Sequence, residues 1–128
     1  GRQKIGIEEF AKATEDANIN AKLNNIDSCD FQTGTVEACL KNLISGPPID
    51  TIIVDPPRKG CSPEVIESML EIAPKKIVYI SCNPSTLSRD LSLLCEKKYE
   101  ISQTYVIDMF PQTSHVESVV LLSNITNL

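Results

Sequence analysis

Two short apolar runs in the second half of the chain restrict its architecture more than any other feature. Asp50-Thr-Ile-Ile-Val-Asp55 and Lys76-Ile-Val-Tyr-Ile-Ser81 are rich in β-branched residues and stop abruptly at polar groups. Runs that are apolar on successive residues read as strands buried on both faces, as at the centre of a parallel sheet. Each is followed within a few residues by a helix start. Ser62-Pro63 and Asn83-Pro84 both offer an N-cap side chain and then a proline at the first helical position. The first start predicts a helix through about Ile72. The second predicts a helix whose buried stripe is Leu87, Leu91 and Leu94.

The first half follows the same rule less strongly. Lys4-Ile-Gly-Ile-Glu8 reads as a strand, and from Glu9 a helical period places Phe10, Ala13, Ala17 and Ala21 on one face, with a stop at Asn24-Asn25. Cys29–Thr33 is a second short strand. Thr35–Ile44 is a short helix, ended by Gly46-Pro-Pro48. After the fourth helix, 101–108 and 117–123 read as strands separated by about eight residues with no helix between them, which predicts an antiparallel pair. The order β-α-β-α-β-α-β-α-β-β predicts an α/β fold with a mostly parallel sheet. Ligands of such sheets gather beyond the carboxyl ends of the strands.

That edge is where the reactive side chains fall. Glu8, Asp55, Cys82 and Asp108 end strands, and the loop before the last strand carries Gln112, His115 and Glu117. An acid in the place of Glu8 suits the two hydroxyls of a ribose, but it also suits a solvated helix N-terminus. In Asp55-Pro-Pro-Arg58 two prolines stiffen the turn and remove two N–H donors, which leaves carbonyls to face the rim as acceptors for a planar base. The plainer reading is a structural turn with Arg58 paired to an acid. Cys82 lies just ahead of a helix N-terminus, where the dipole favours a thiolate nucleophile. Cys29, Cys39 and Cys95 fall on strand or helix faces and read as packing, while Cys61 follows a glycine turn and is expected at the surface with no base beside it. His115 and Glu117 flank Val116, so an extended segment points both the same way. Either could act as a general base, or His115 could be structural.

Composition limits the rest. The 128 residues suffice for one compact domain with a core. A net charge of −5 argues against nonspecific grip on a phosphate backbone by this chain alone. Five cysteines at irregular spacing contain no C-x-x-C pair, so no metal site is expected and free thiols in a reducing cytoplasm are. No apolar run approaches the roughly 18 residues of a membrane span, and no secretion signal is visible. The opening Gly1-Arg-Gln-Lys-Ile lacks a methionine and enters a strand almost at once, as an excised piece of something longer would.

Three blocks then converge on one family. Asp-Pro-Pro-Arg-Lys-Gly (55–60), Tyr-Ile-Ser-Cys-Asn-Pro-Ser-Thr-Leu-Ser-Arg-Asp-Leu (79–91) and Asp-Met-Phe-Pro-Gln-Thr-Ser-His-Val-Glu-Ser-Val-Val-Leu-Leu (108–122) resemble the signature blocks of the RNA uracil-5-methyltransferases. Residues 6–25 are similar to the strand end and helix at that family's ribose-binding acid. The resemblance covers nearly the whole chain in order. It implies a Rossmann-like, S-adenosylmethionine-dependent fold and methylation of uridine C5 in tRNA or 23S rRNA. It makes Cys82 the nucleophile and Glu117 the base. Glu8, Thr35 and Asp55 become cofactor-binding residues, and Asp55, Arg58, Gln112 and His115 substrate-binding ones. Thr35 departs from the acid or amide that many members carry near the adenine.

The resemblance also implies what the chain lacks. The family's glycine-rich loop after its first strand has no counterpart among these residues. Nor has the upstream RNA-binding β-barrel, or the iron–sulfur cluster that many members hold with four cysteines. Residues 1–128 are then the C-terminal portion of the catalytic domain, beginning just before its second strand. In the family sheet the first strand lies between this chain's first and third. A piece with half a cofactor cradle is expected to have little or no activity alone. Two other readings remain: an amino-methyltransferase acting on a nucleic-acid base, for which Arg58 replaces the usual aromatic, and a non-catalytic remnant that binds RNA or a partner.

Overall fold

A computed structural model of the chain describes residues 4–8, 11–25, 29–108 and 116–126. The described strands and helices follow the predicted order: β1 (Lys4–Glu8), α1 (Ala11–Leu23), β2 (Cys29–Thr33), α2 (Val36–Leu43), β3 (Thr51–Val54), α3 (Pro63–Ile72), β4 (Lys76–Ser81), α4 (Pro84–Lys97), β5 (Tyr99–Asp108) and β6 (Val116–Asn124). They divide into two compact units, Gly1–Ser45 and Gly46–Leu128.

In the first unit β1 and β2 form a parallel pair running from Lys4↔Cys29 to Glu8↔Thr33. Gly6 lies under the Phe31 ring, where a Cβ would come within 2.5 Å of it, so this crossing point needs glycine. The expected α1 stripe is corrected in one place. Ala13 is exposed, and Thr14 and Ala21 are buried with Ala17 between them, so the inner face is turned by one residue. Phe10 lies outside the described residues. Asn24 and Asn25 end α1 as expected, Asn25 at φ 56°. Thr35 caps α2 by accepting the Ala38 N–H at 3.2 Å.

In the second unit the strand order is β3-β4-β6-β5. β3 and β4 are parallel, and β6 runs antiparallel to both β4 and β5. The closing pair is therefore antiparallel, as its short connection predicts. Among the described residues β1 pairs only with β2 and β3 only with β4.

The core of this unit sits on one face of the sheet. Ile77 and Tyr79 of β4 and Val120 and Leu122 of β6 point to it, joined by Met69 of α3 and Leu94 of α4, all at most 1% exposed. Burial of each such side chain contributes roughly 1.5–3 kcal/mol. Leu87 and Leu91 of the predicted α4 stripe are only half-buried. The reading of β3 as buried on both faces is not met, because Ile53 is 68% exposed. β3 is an edge strand of its sheet, with a hydrogen-bonded neighbour on one side only. Both proline helix starts hold: Ser62 caps α3 through the Val65 N–H at 3.3 Å and Asn83 caps α4 through the Ser85 N–H at 3.0 Å.

Candidate active site

The second unit brings four of the predicted residues to one rim. β4 ends at Ser81, which pairs with Ser118 of β6. Cys82 follows Ser81 directly and Glu117 precedes Ser118, so both lie at this end of the sheet, where Glu117 also pairs with Ile107 of β5. Val54 of β3 runs level with Tyr79, so Asp55 leaves the sheet beside Ile80, at the same end as Cys82. Arg58 follows in the same loop. Asp55, Arg58 and Cys82 are exposed and Glu117 is half-buried.

Cys82 is held by its neighbours. The buried Ser81 hydroxyl accepts the Asn83 N–H and donates to the Asn83 carbonyl, both at 3.0 Å, and so closes the turn around the cysteine. Asn83 then caps α4 with its side-chain oxygen and reaches Arg58 with its amide, Nδ2 donating to the Arg58 carbonyl at 2.9 Å. Sequence reading found the cap but not the serine, whose hydroxyl gives no periodic signal.

The loop carbonyls differ from expectation. Pro57 O accepts the Gly60 N–H at 2.8 Å. Arg58 O accepts Asn83 and Thr86, and Lys59 O accepts Arg89. They are acceptors as predicted, but the chain's own donors occupy them, because α4 passes directly behind the loop. Arg58 itself makes no ion pair among the described residues.

Behind the loop lies a network to which the sequence reading assigned no role. Asp90 is fully buried, and its Oδ2 accepts the Tyr79 hydroxyl at 2.5 Å and the Cys61 N–H at 2.8 Å. Its Oδ1 pairs with Arg89 at 3.1 Å. Cys61, expected at the surface, is buried at 8% exposure because its backbone is drawn down onto Asp90. The signal for Asp90 was its address: three residues after Leu87 and four before Leu94, it puts an acid in an apolar stripe, which only a partnered carboxylate can occupy cheaply. We expect Asp90→Ala to strand the Tyr79 hydroxyl and the Cys61 N–H, and to cost about 3–5 kcal/mol in urea unfolding.

This burial has a pH signature. Burial, and then the Asp90 charge, push the Cys61 thiol up to about 12. The Tyr79 phenol is raised by burial first and by its hydrogen bond to Asp90 second. Burial likewise pushes Tyr99 up to about 12. In the unfolded chain these groups ionise at roughly 8.5–10. The folded state therefore holds more protons between about pH 9 and pH 12, and stability falls as pH rises through that window. The urea midpoint should drop between pH 8 and pH 10.5, and drop less in Cys61→Ala. An unchanged midpoint would contradict the buried assignment.

A cavity of about 380 Å³ lies beside α3 and α4, lined among others by Lys59, Pro63, Ile66, Arg89 and Leu93. None of the rim residues lines it. In the first unit, Glu8 ends β1 half-buried, and its carbonyl accepts the Gly34 N–H at 2.9 Å, which places the acid beside the Gly34-Thr35 loop. Gln112 and His115 lie outside the described residues, as does the side chain of Asp108.

The fold is α/β with a thiol and two carboxylates at a strand-end rim, and comparison with known proteins gives its class. A family model described as tRNA (Uracil-5-)-methyltransferase matches residues 3–125. The chain belongs to that family. It is 46% identical over 123 residues to an uncharacterized RNA methyltransferase of Enterococcus faecalis, covering 95% of this chain and 27% of that protein. A Lactobacillus johnsonii relative of the same description is 49% identical over 118 residues, covering 91% of this chain and 26% of that protein. The crystal structure of Pyrococcus abyssi tRNA (uracil-54, C5)-methyltransferase in complex with S-adenosyl-L-homocysteine matches with TM-score 0.80 and 37% identity, over 95% of this chain and 29% of that one. An rRNA methylase from Streptococcus thermophilus shares the fold alone, with TM-score 0.72 at 12% identity, over 95% of this chain and 73% of that one. The chain thus spans about a quarter of the length of its curated relatives.

Proposed function

We propose that residues 1–128 are the C-terminal part of the catalytic domain of an RNA uracil-5-methyltransferase that forms 5-methyluridine through a covalent Cys82 adduct. The observation that supports this reading is the β4–β6 register, whose last pair, Ser81↔Ser118, adjoins an exposed thiol on one strand and a half-buried carboxylate on the other. The family and its uracil-modifying Pyrococcus member give that pair a reaction.

Uracil C5 is too weak a nucleophile to take a methyl group unaided. The Cys82 thiolate adds to C6, and the C5–C6 π electrons move onto O4 as an enolate, which makes C5 carbon-nucleophilic. S-adenosylmethionine, when bound, supplies the electrophilic methyl group. Glu117 then takes the C5 proton, the C5–C6 double bond re-forms, and the bond from sulfur to C6 breaks to return the thiolate. Asp55 and Arg58 bind the base at the rim, and Asp55 also lies toward the cofactor, with Gln112 and His115 completing the substrate contacts. Glu8 fits the cofactor ribose: a half-buried carboxylate at a strand's end can accept from two hydroxyls, with the Gly34-Thr35 loop next to the adenine. The target uridine must leave its stack to reach such a site.

The substrate is RNA, tRNA or 23S rRNA, and the reaction belongs in the cytoplasm, where free thiols such as Cys82 persist. No helix among the described residues is long and apolar enough to cross a membrane. The test is nucleoside analysis of RNA incubated with S-adenosylmethionine and the full-length protein. 5-Methyluridine is expected. N-methylated adenine or cytosine would point to an amino-methyltransferase, and no product to a non-catalytic binding domain. The five glycines of residues 1–128 form no glycine-rich loop, and the isolated piece should yield little or no product. Robust turnover by it alone would contradict the fragment reading.

A further inference from the structure

The loop that carries Asp55 and Arg58 is exposed, and it contains two prolines that cannot donate. Its own hydrogen bonding provides little hold beyond Gly60 N–H to Pro57 O at 2.8 Å. What fixes it comes from α4. Asn83 and Thr86 both donate to the Arg58 carbonyl at 2.9 Å. Arg89 Nη2 donates to the Lys59 carbonyl at 2.9 Å and to the Cys61 carbonyl at 3.3 Å. Asp90 accepts the Cys61 N–H at 2.8 Å. The anchoring residues 83, 86, 89 and 90 recur at helical spacing, so they share one face of α4. The same helix starts two residues after Cys82.

Close approach is built into this contact. Gly60 sits at φ +80°, and a Cβ there would lie 2.5 Å from Arg89 Nη2 and 2.9 Å from Asp90 Oδ2. We propose that Thr86, Arg89 and Asp90 are positioning residues for the reaction, clamping loop 55–61 to the helix that mounts Cys82 so that Asp55 and Arg58 stay registered to the thiol. This rests on the uracil-5 reading of the rim. The buried end of the loop, Gly60 and Cys61, contributes to the fold through Asp90, but the core built on Met69, Ile77 and Leu94 does not require its exposed residues 57–59 to be held as well. A reaction in which one base must touch loop and thiol at once does, because displacement by about 1 Å can cost up to 10²-fold in rate.

Two variants of the full-length protein test the clamp without removing the buried acid. Thr86→Val deletes one donor to the Arg58 carbonyl, and Arg89→Lys keeps the charge beside Asp90 but loses the Nε–Nη2 edge that grips Asp90 Oδ1 and aims Nη2 at the Lys59 and Cys61 carbonyls. Amide hydrogen exchange at Gly60 and Cys61 should accelerate in both. Steady-state kinetics with uridine-containing RNA should show kcat about tenfold lower, with the RNA KM within about twofold, and Thr86→Ser should restore it. Unchanged exchange in both variants overturns the clamp whatever the reaction is. Faster exchange with wild-type kcat, or a kcat loss fully accounted for by a smaller folded fraction, overturns the positioning role. If the wild type itself makes no 5-methyluridine, the uracil-5 reading fails and the catalytic half of this proposal falls with it, while the exchange result still decides whether the clamp exists.

Discussion

Replacing Cys82 with alanine in the full-length protein is expected to lower formation of 5-methyluridine by about 10⁴-fold or more, the scale on which loss of a covalent nucleophile is felt. Folding should be nearly untouched. Cys82 is exposed, lies just past the end of β4, and makes no side-chain hydrogen bond among the described residues. Substitutions at such positions usually change stability by no more than about 0.5 kcal/mol. The comparison that isolates the role is Cys95→Ala, a half-buried thiol on α4 whose loss removes packing but no chemistry. Activity surviving in Cys82→Ala, or lost equally in Cys95→Ala, would contradict the assignment. The readout is tritium or mass transfer into RNA at matched concentrations of folded protein.

Glu117→Gln should fail at a different step. The amide keeps the size and position of the side chain on β6 but cannot take the C5 proton. Addition of the thiolate and methylation proceed, elimination stalls, and the protein stays attached to ordinary uridine RNA. Turnover should fall by about 10²–10⁴-fold, the usual contribution of a positioned base. A denaturing gel of Glu117→Gln with RNA and S-adenosylmethionine should show a retarded band that the wild type clears. The double variant with Cys82→Ala should show none. Normal turnover in Glu117→Gln, or turnover lost with no retained RNA, would assign the proton to another group.

The element order was legible because apolar runs stop at polar residues and the helices after β3 and β4 open on a capping residue and a proline. Ser62-Pro63 and Asn83-Pro84 start α3 and α4 where predicted, and Lys76–Ser81 is β4 to the residue. Two packing details were not. A stripe of alanines carries too little apolar area to fix a helix's rotation, so α1 buries Thr14 rather than Ala13. A run such as Thr-Ile-Ile-Val reads the same at the edge of a sheet as at its centre, so the run alone does not disclose the exposure of Ile53, although the expected lack of a neighbouring strand pointed to an open edge there.

For the site, the residues that end strands were readable, since strand ends are where polar groups meet ligands. Their register was not. That Cys82 and Glu117 both adjoin the last β4–β6 pair depends on Ser81 pairing with Ser118, and a slip of one residue in β6 would turn the acid to the other face. The support behind the loop was hidden for another reason. Arg89 is an ordinary residue for a solvated helix, and although the address of Asp90 in the Leu87–Leu94 stripe pointed to burial, its partners became visible only in the packing of the 55–61 loop on α4.

RNA carrying 5-fluorouridine tests the central claim most directly, because fluorine cannot leave C5 as a proton. With S-adenosylmethionine and the full-length protein, the methylated adduct should accumulate, survive denaturation, and map by peptide mass to Cys82. No adduct with cofactor bound, or an adduct on any other residue, would contradict the covalent cysteine mechanism.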